Sequence, residues 1–293
     1  MFLLVALGFV IKKIKLVSTD TVNELTNILI SVTLPLSVLA SGGEECSREM
    51  ITNIGLSFLI ISLYYIAAFI LSYLAFRPVL QDRKERASGI NMAVFANTGF
   101  IGIPLAQIMY GQEGMIYAII YNLIYNVFLF TIGVRLFDGK TEMKECLKSI
   151  FLDPLSISSI VAILLFFSPV KLPSPVQNFL TNVGDISSPL SMMIIGAWLV
   201  GVDFRNIIKR PVSYYISLVR LLVLPVILYL VLSLFNLDSV MVSSIVLISA
   251  LPIGSLNVIF AKKYGHDVSF VNETMMLSLC LSLITIPVIT LVL

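Results

Sequence analysis

Long apolar stretches broken by short polar connections run through the whole chain. They fall at about 1–11, 21–42, 51–76, 89–110, 115–137, 151–169, 176–200, 212–235, 241–261 and 268–293. A membrane-crossing helix needs about 20 mostly apolar residues, and nine of the ten segments reach or approach that length. The first does not: eleven residues rise only about 17 Å against a hydrocarbon core of about 30 Å. A truncated start and a partial span both remain open for it. The pattern predicts an all-α membrane protein of ten transmembrane helices.

Composition agrees. The 293 residues are 58% hydrophobic and only 12% charged, where a soluble domain carries about 25% charge. Net charge is +2, which offers no nucleic-acid surface. The placement of charge says more. Sixteen of the nineteen Lys and Arg fall in alternate connections, among them Lys12, Lys13, Lys15, Arg83, Lys84, Lys140, Lys144, Arg205, Lys209, Lys262 and Lys263. The other connections hold Arg48 and Lys171, with Glu44, Glu45, Glu49, Glu113 and Asp238. Positive charge marks the cytoplasmic side, so this split supports the helix count, a multi-pass protein of the plasma (inner) membrane, and both termini outside. Lysines follow the first apolar run instead of preceding it, unlike a signal peptide, so residues 1–11 read as part of the mature protein.

The two halves resemble each other. Thr33-Leu34-Pro35-Leu36-Ser37 in the second segment is echoed by Ser187-Ser188-Pro189-Leu190-Ser191 in the seventh, and Pro104 in the fourth by Pro252 in the ninth. The offsets are 154 and 148. Five helices per half reverse the direction of entry, which makes the halves inverted repeats, a common plan of secondary transporters. The expected organisation is a first repeat over 1–137, a cytoplasmic connection over 138–150 and a second repeat over 151–293. Chance recurrence of membrane prolines is the plainer alternative.

Two segments carry chemistry. Asn97-Thr98-Gly99-Phe100-Ile101-Gly102-Ile103-Pro104 and Pro252-Ile253-Gly254-Ser255-Leu256-Asn257 concentrate Gly, Pro and Asn in mid-span. Proline removes a backbone donor and crowds the preceding turn, and the freed groups must face protein or a watery cavity. A break also creates a half-helix N-terminus with unpaired N–H groups and partial positive charge, suited to an anion. A packed proline kink is the plain alternative for both, and the favoured reading for Pro35, Pro189, Pro225 and Pro287. The candidate substrate-binding set is Asn97, Thr98, Gly99, Gly102, Pro104, Pro252, Gly254, Ser255 and Asn257, with Arg220, a cation at depth.

Arg220 suits a substrate carboxylate by its bidentate fork, or equally a structural pair with an acidic neighbour. Asp185 is a candidate coupling site or the buried partner of Arg220, and Glu273 a candidate buried charge better read as interfacial. Tyr117, Tyr121 and Tyr125 share one face, beside Asn122 and Asn126; aromatic packing is the plain reading and a substrate-lining face the sharper one. Trp198 reads as an interfacial anchor and His266 as a solvated or locally bonded loop residue. The cysteines Cys46, Cys146 and Cys280 show no paired spacing, and no metal site or cofactor is expected. The G-x-x-x-x-G-K-[ST] loop of ATP motors is absent, and a second intramembrane aspartate for a diaspartyl protease is missing, so an enzyme is not expected.

The run Asn97 to Pro104 resembles the crossover of the auxin efflux carrier family, which includes the plant PIN carriers and bacterial permeases for malate and malonate. Leu7-Gly8 with Lys12-Lys13, Thr33-Leu34-Pro35, Ala261-Lys262-Lys263-Tyr264-Gly265-His266-Asp267 and Leu277-Ser278 through Pro287 extend the resemblance over nearly the whole chain. It implies an NhaA-like fold, with helices 1, 2, 6 and 7 as scaffold and helices 3–5 and 8–10 as transport domain. It places the substrate, a small organic anion, at crossed, broken helices 4 and 9, with Asn97 matching the crossover asparagine and Asn257 a looser match. A cation–proton or sodium-coupled carrier on the same fold is the alternative. The partners expected are that anion, the lipid bilayer and, compatibly, a second copy in a homodimer.

Overall fold

The computed structural model describes residues 2–43, 48–138, 148, 150–168, 172–201 and 210–293. Most of the expected 138–150 connection lies outside these residues. So do Cys46, Cys146 and the loop charges Glu44, Glu45, Lys140, Lys144, Lys171, Arg205 and Lys209; the side chains of Arg48 and Glu49 are likewise outside the description. The described chain is helical throughout: α1 (Phe2–Lys13), α2 (Thr19–Ser41), α3 (Arg48–Phe76), α4 (Arg83–Val94), α5 (Thr98–Asp138), α6 (Pro154–Phe167), α7 (Ser174–Gly184), α8 (Ser187–Trp198), α9 (Pro211–Leu232), α10 (Ser239–Ser249), α11 (Leu256–Lys263) and α12 (Val268–Val292). Five of these, α2, α3, α5, α9 and α12, are long and apolar enough to cross a membrane. Gly111 divides α5 into two arms, because its φ of 66° interrupts the helix.

Capping and proline chemistry set the boundaries. Asp82, Asp153, Asp238 and Asp267 sit just before α4, α6, α10 and α12, each accepting N–H groups of the first turn. An aspartate there satisfies donors that the helix itself leaves unpaired. Inside the long helices, wide π-turns at Leu29–Thr33, Thr98–Gly102 and Val219–Val223 precede Pro35, Pro104 and Pro225. The missing proline N–H and its ring favour such a local widening. Pro35 and Pro225 are therefore kinks within continuing helices, and α12 continues through Pro287. Pro189 is different: it lies in the first turn of α8, after the turn at Asp185 and Ile186 that separates α8 from α7.

Two helix crossings are unusually close. α1 crosses α8 so closely that a Cβ on Gly8 would lie 1.9 Å from the Met193 carbonyl oxygen, and one on Gly196 1.9 Å from that of Val5. In a second close crossing α2 meets α6, where a Cβ on Gly42 would lie 2.6 Å from the Ala162 carbonyl oxygen. Gly8 and Ala162 are 154 positions apart, as are Gly42 and Gly196. Small residues let membrane helices approach this closely. Both crossings involve a short helix, α1 with 12 residues and α6 with 14.

The outer surface is hydrocarbon. On α3, Leu59, Leu63, Ile66, Ile70 and Leu74 face outward, Leu74 with 58% of its surface exposed. A water-soluble fold does not present such a continuous apolar face. The polar side chains are turned inward instead: Asn91, Thr98, Asn122, Asn126, Arg220 and Asn257 are all buried.

Candidate functional site

The site begins with two interruptions that meet. Between α4 and α5 the chain is extended over 95–97, and between α10 and α11 it is non-helical over 250–255. Ala96 and Ile253 form an antiparallel bridge there. The Asn97 N–H donates to the Pro252 carbonyl at 2.9 Å, and the Gly254 N–H to the Phe95 carbonyl at 3.0 Å. Each segment thus supplies the partners that the other lost when its helix broke, which answers the cost of unpaired backbone in a membrane. Gly254 is required by the closeness of the strands: a Cβ there would stand 2.7 Å from the Ala96 carbonyl oxygen.

Two helix starts adjoin this crossing. In α5 the first N–H groups with acceptors are those of Ile101 and Gly102, both on the Asn97 carbonyl, so those of Thr98, Gly99 and Phe100 precede the helical ladder. In α11 the first such bond joins the Asn257 N–H to the Gly254 carbonyl. The side chains differ in commitment. Asn257 is fully buried, donating its amide to the carbonyls of Phe95 and Gly254 while its oxygen has no partner among the described residues. The Asn97 side chain is 9% exposed and makes no hydrogen bond to the described residues. Thr98 donates to Asn122 at 2.7 Å, leaving the Asn122 amide nitrogen unpartnered. Next along α5, Asn126 donates to Ser156 and Asp153 at the start of α6.

The opposite ends of the broken helices, the C-termini of α4 and α10, converge on Arg220. This residue sits in the π-turn of α9 and is fully buried. Its Nε donates to the Leu251 carbonyl at 2.9 Å, and one terminal nitrogen donates to Ala93 at 3.1 Å, Val94 at 3.2 Å and the Tyr64 hydroxyl at 3.4 Å. The other terminal nitrogen has no partner among the described residues. Helix C-termini carry partial negative charge, and the guanidinium lies against two of them. Its bonds run to three backbone carbonyls and the Tyr64 hydroxyl, and no acidic side chain is among its partners in the described residues.

The remaining candidates fall into place around this centre. Gly99 faces Leu155 of α6 and Asn122, Gly102 faces Leu251, and Pro104 and Pro252 are buried. Ser255 precedes α11 and is half-buried. Asp185 is exposed in the turn after α7, apart from the Arg220 contacts. Glu273 pairs with Arg210 at 3.8 Å, as Asp267 does at 3.2 Å, which fits its interfacial reading. The Asp267 carboxyl is held below the usual carboxylate range, first by the Phe270 N–H and then by Arg210.

Tyr121 and Tyr125 pack in an aromatic cluster with Tyr64, Tyr65 and Phe95, and Tyr117 is buried as well. His266 is a buried link, not a solvated loop residue: it bonds Ser88 at 2.9 Å and the Phe137 carbonyl at 3.1 Å. Trp198, at the end of α8, is half-buried. It stacks on Phe100 beside the break, with centroids 4.9 Å apart at 15°.

Residues 1–290 match the sequence profile of the family described as Membrane transport protein. The chain belongs to that family, the auxin efflux carriers. It is similar to an uncharacterized transporter of Methanocaldococcus jannaschii, 25% identical over 292 residues that cover 97% of this chain and 94% of that one. A Methanothermobacter thermautotrophicus relative, also described as an uncharacterized transporter, is 23% identical over 97% of this chain and 93% of its own. A Rhizobium meliloti protein named "Putative malonate transporter" is 21% identical over 83% of this chain and 77% of that one. The names and the family point to a membrane transporter and not to an enzyme.

Proposed function

We propose that this family member is a secondary carrier that moves a small organic anion, a mono- or dicarboxylate, by alternating access through the crossing of Asn97 and Pro252. The observation that carries the reading is Arg220. Its charge lies against the carbonyls of Ala93, Val94 and Leu251, where the two C-terminal half-dipoles would otherwise be unopposed. The two N-terminal ends beside Asn97 and Asn257 have asparagines and no carboxylate to balance them. An anionic substrate balances them, and the Asn97 amide, which bonds none of the described residues, hydrogen-bonds it. Helix N-termini bind carboxylates for this reason, and broken helices serve transporters in the same way.

In this reading the chain crosses the plasma membrane ten times as two inverted repeats, with both termini outside. The α1–α8 and α2–α6 crossings at an offset of 154 support the repeat. Helices α1, α2, α6, α7 and α8 form the scaffold, and the others carry the site. The cation–proton alternative asks for a carboxylate at the crossing, where Asn97 and Asn257 stand instead. The name of the Rhizobium relative makes malonate the first substrate to try.

The test is counterflow of labelled malonate and malate into liposomes holding the purified protein, with and without sodium and a pH gradient. Saturable exchange that Asn97→Ala abolishes is the expected result, and the gradients then name the coupling ion. Exchange of sodium or protons alone, with both acids inert, overturns the anion reading.

A further inference from the structure

A groove of about 420 Å³ runs between α3 and α9, away from the crossing. Its walls include Leu56, Leu63 and Leu71 on one side and Leu224, Ile227 and Phe235 on the other. The Tyr64 hydroxyl, the polar group of this lining, is turned to Arg220. We propose that this groove is a binding site for one acyl chain of a membrane phospholipid.

Three features select that occupant. Both walls belong to helices long and apolar enough to cross a membrane, so the medium at the mouth is hydrocarbon and not water. From Leu56 to Leu71 the groove follows fifteen residues of α3, about 22 Å of helix, more than one leaflet of a core about 30 Å thick. An elongated chain fits that length, whereas a compact apolar ligand leaves most of it empty. One end of the groove reaches Phe235 and Leu237, next to Asp238 at the start of α10. A chain entering there keeps its headgroup at the polar edge while its tail lies inward. An unfilled concavity forfeits the dispersion contacts of its lining, so a chain seated here is held more firmly than one on the convex ridge of Ile70 and Leu74. At the inner wall it packs on the Tyr64 ring, one hydrogen bond from the guanidinium that holds both broken helices.

The site is tested without reference to transport. The full chain is reconstituted with a phospholipid bearing a diazirine within one acyl chain, photolysed, and the adducts mapped by mass spectrometry. We expect adducts at Leu63 and Ile227 severalfold above those at Leu74 and Ile284, which are exposed but outside the groove. Ala67→Trp fills the groove and lowers its labelling severalfold, leaving that at Leu74 unchanged; Val231→Phe, from the opposite wall, does the same if the first variant fails to fold. Even labelling over all these positions overturns the proposal. So does an unlabelled groove in which Leu63→Cys crosslinks between chains, since a second copy then covers it. Labelling confined to the groove stands even if no carboxylate is transported.

Discussion

Arg220 Nε donates to the carbonyl of Leu251 at 2.9 Å, and the same guanidinium reaches Val94 at 3.2 Å. One side chain thereby ties the last turn of α4 to the end of α10, two elements more than 150 positions apart in sequence. The attachment uses charge where two helix dipoles end, and among the described residues it is made without a counter-carboxylate.

Replacing Arg220 by Met removes a buried cation together with three carbonyl contacts. Hydrogen bonds to charged groups contribute about 1.5–3 kcal/mol each, and a net loss of roughly 3 kcal/mol is expected. The detergent-solubilised variant should unfold at a clearly lower temperature and lose transport. Arg220→Lys, which keeps the charge but not the fork, should fall between it and the wild type. Unchanged stability in the Met variant removes Arg220 from the architecture of the crossing.

Asn97 and Asn257 should separate in two measurements. The Asn257 amide holds Phe95 and Gly254, so Asn257→Ala should lower both stability, by about 1–3 kcal/mol, and transport. The Asn97 side chain bonds none of the described residues, so Asn97→Ala should lower transport at least tenfold while leaving the unfolding temperature nearly unchanged. Equal destabilisation by the two substitutions contradicts the assignment of Asn97 to substrate.

Gly196 tolerates no side chain at the α1–α8 crossing, whereas a Cβ on Gly55 of α3 meets nothing within 4 Å. Gly196→Ala should cost roughly 1–3 kcal/mol, as overpacking does. Gly55→Ala should be neutral or stabilise by up to about 1 kcal/mol from helix propensity. Thermal unfolding of the pair checks both signs, and a harmless Gly196→Ala denies the close approach.

Asp267 supplies the acid-side prediction. Its folded carboxyl titrates below the unfolded one, because the ionised form accepts the Phe270 N–H and faces Arg210. The stability it contributes is therefore full above the unfolded pKa of about 3.9, and is lost as pH falls through the lower folded value. Asn caps a helix about as well as Asp, so Asp267→Asn should change little at pH 7 and flatten the dependence below about pH 4. A variant with the same acid slope as the wild type refutes the cap's role.

The breaks were legible because glycine, proline and asparagine crowd into spans that otherwise need none of them. Hence 97–104 and 252–257 stand out, and the structure brings them together. The role of Pro189 was less visible: it follows an exposed Asp185 turn whose effect depends on how α7 and α8 pack. The partners of Arg220 were beyond reach, since backbone carbonyls leave no mark in a sequence. The same holds for Trp198, whose position near a helix end matches an interfacial residue until Phe100 is found against it. The bonding partners of His266 are hidden for a similar reason, because Ser88 and Phe137 are distant along the chain.

The stack of Trp198 on Phe100 has a practical side. It is the single tryptophan of the chain, set on α8 against the first turn of α5 beyond the break. Excitation at the red edge of the ultraviolet band, beyond the absorption of the eleven tyrosines, therefore reads one place only, the contact of α8 with the first turn of α5. No dye is needed: the native emission of this one indole is a built-in optical gauge of that contact.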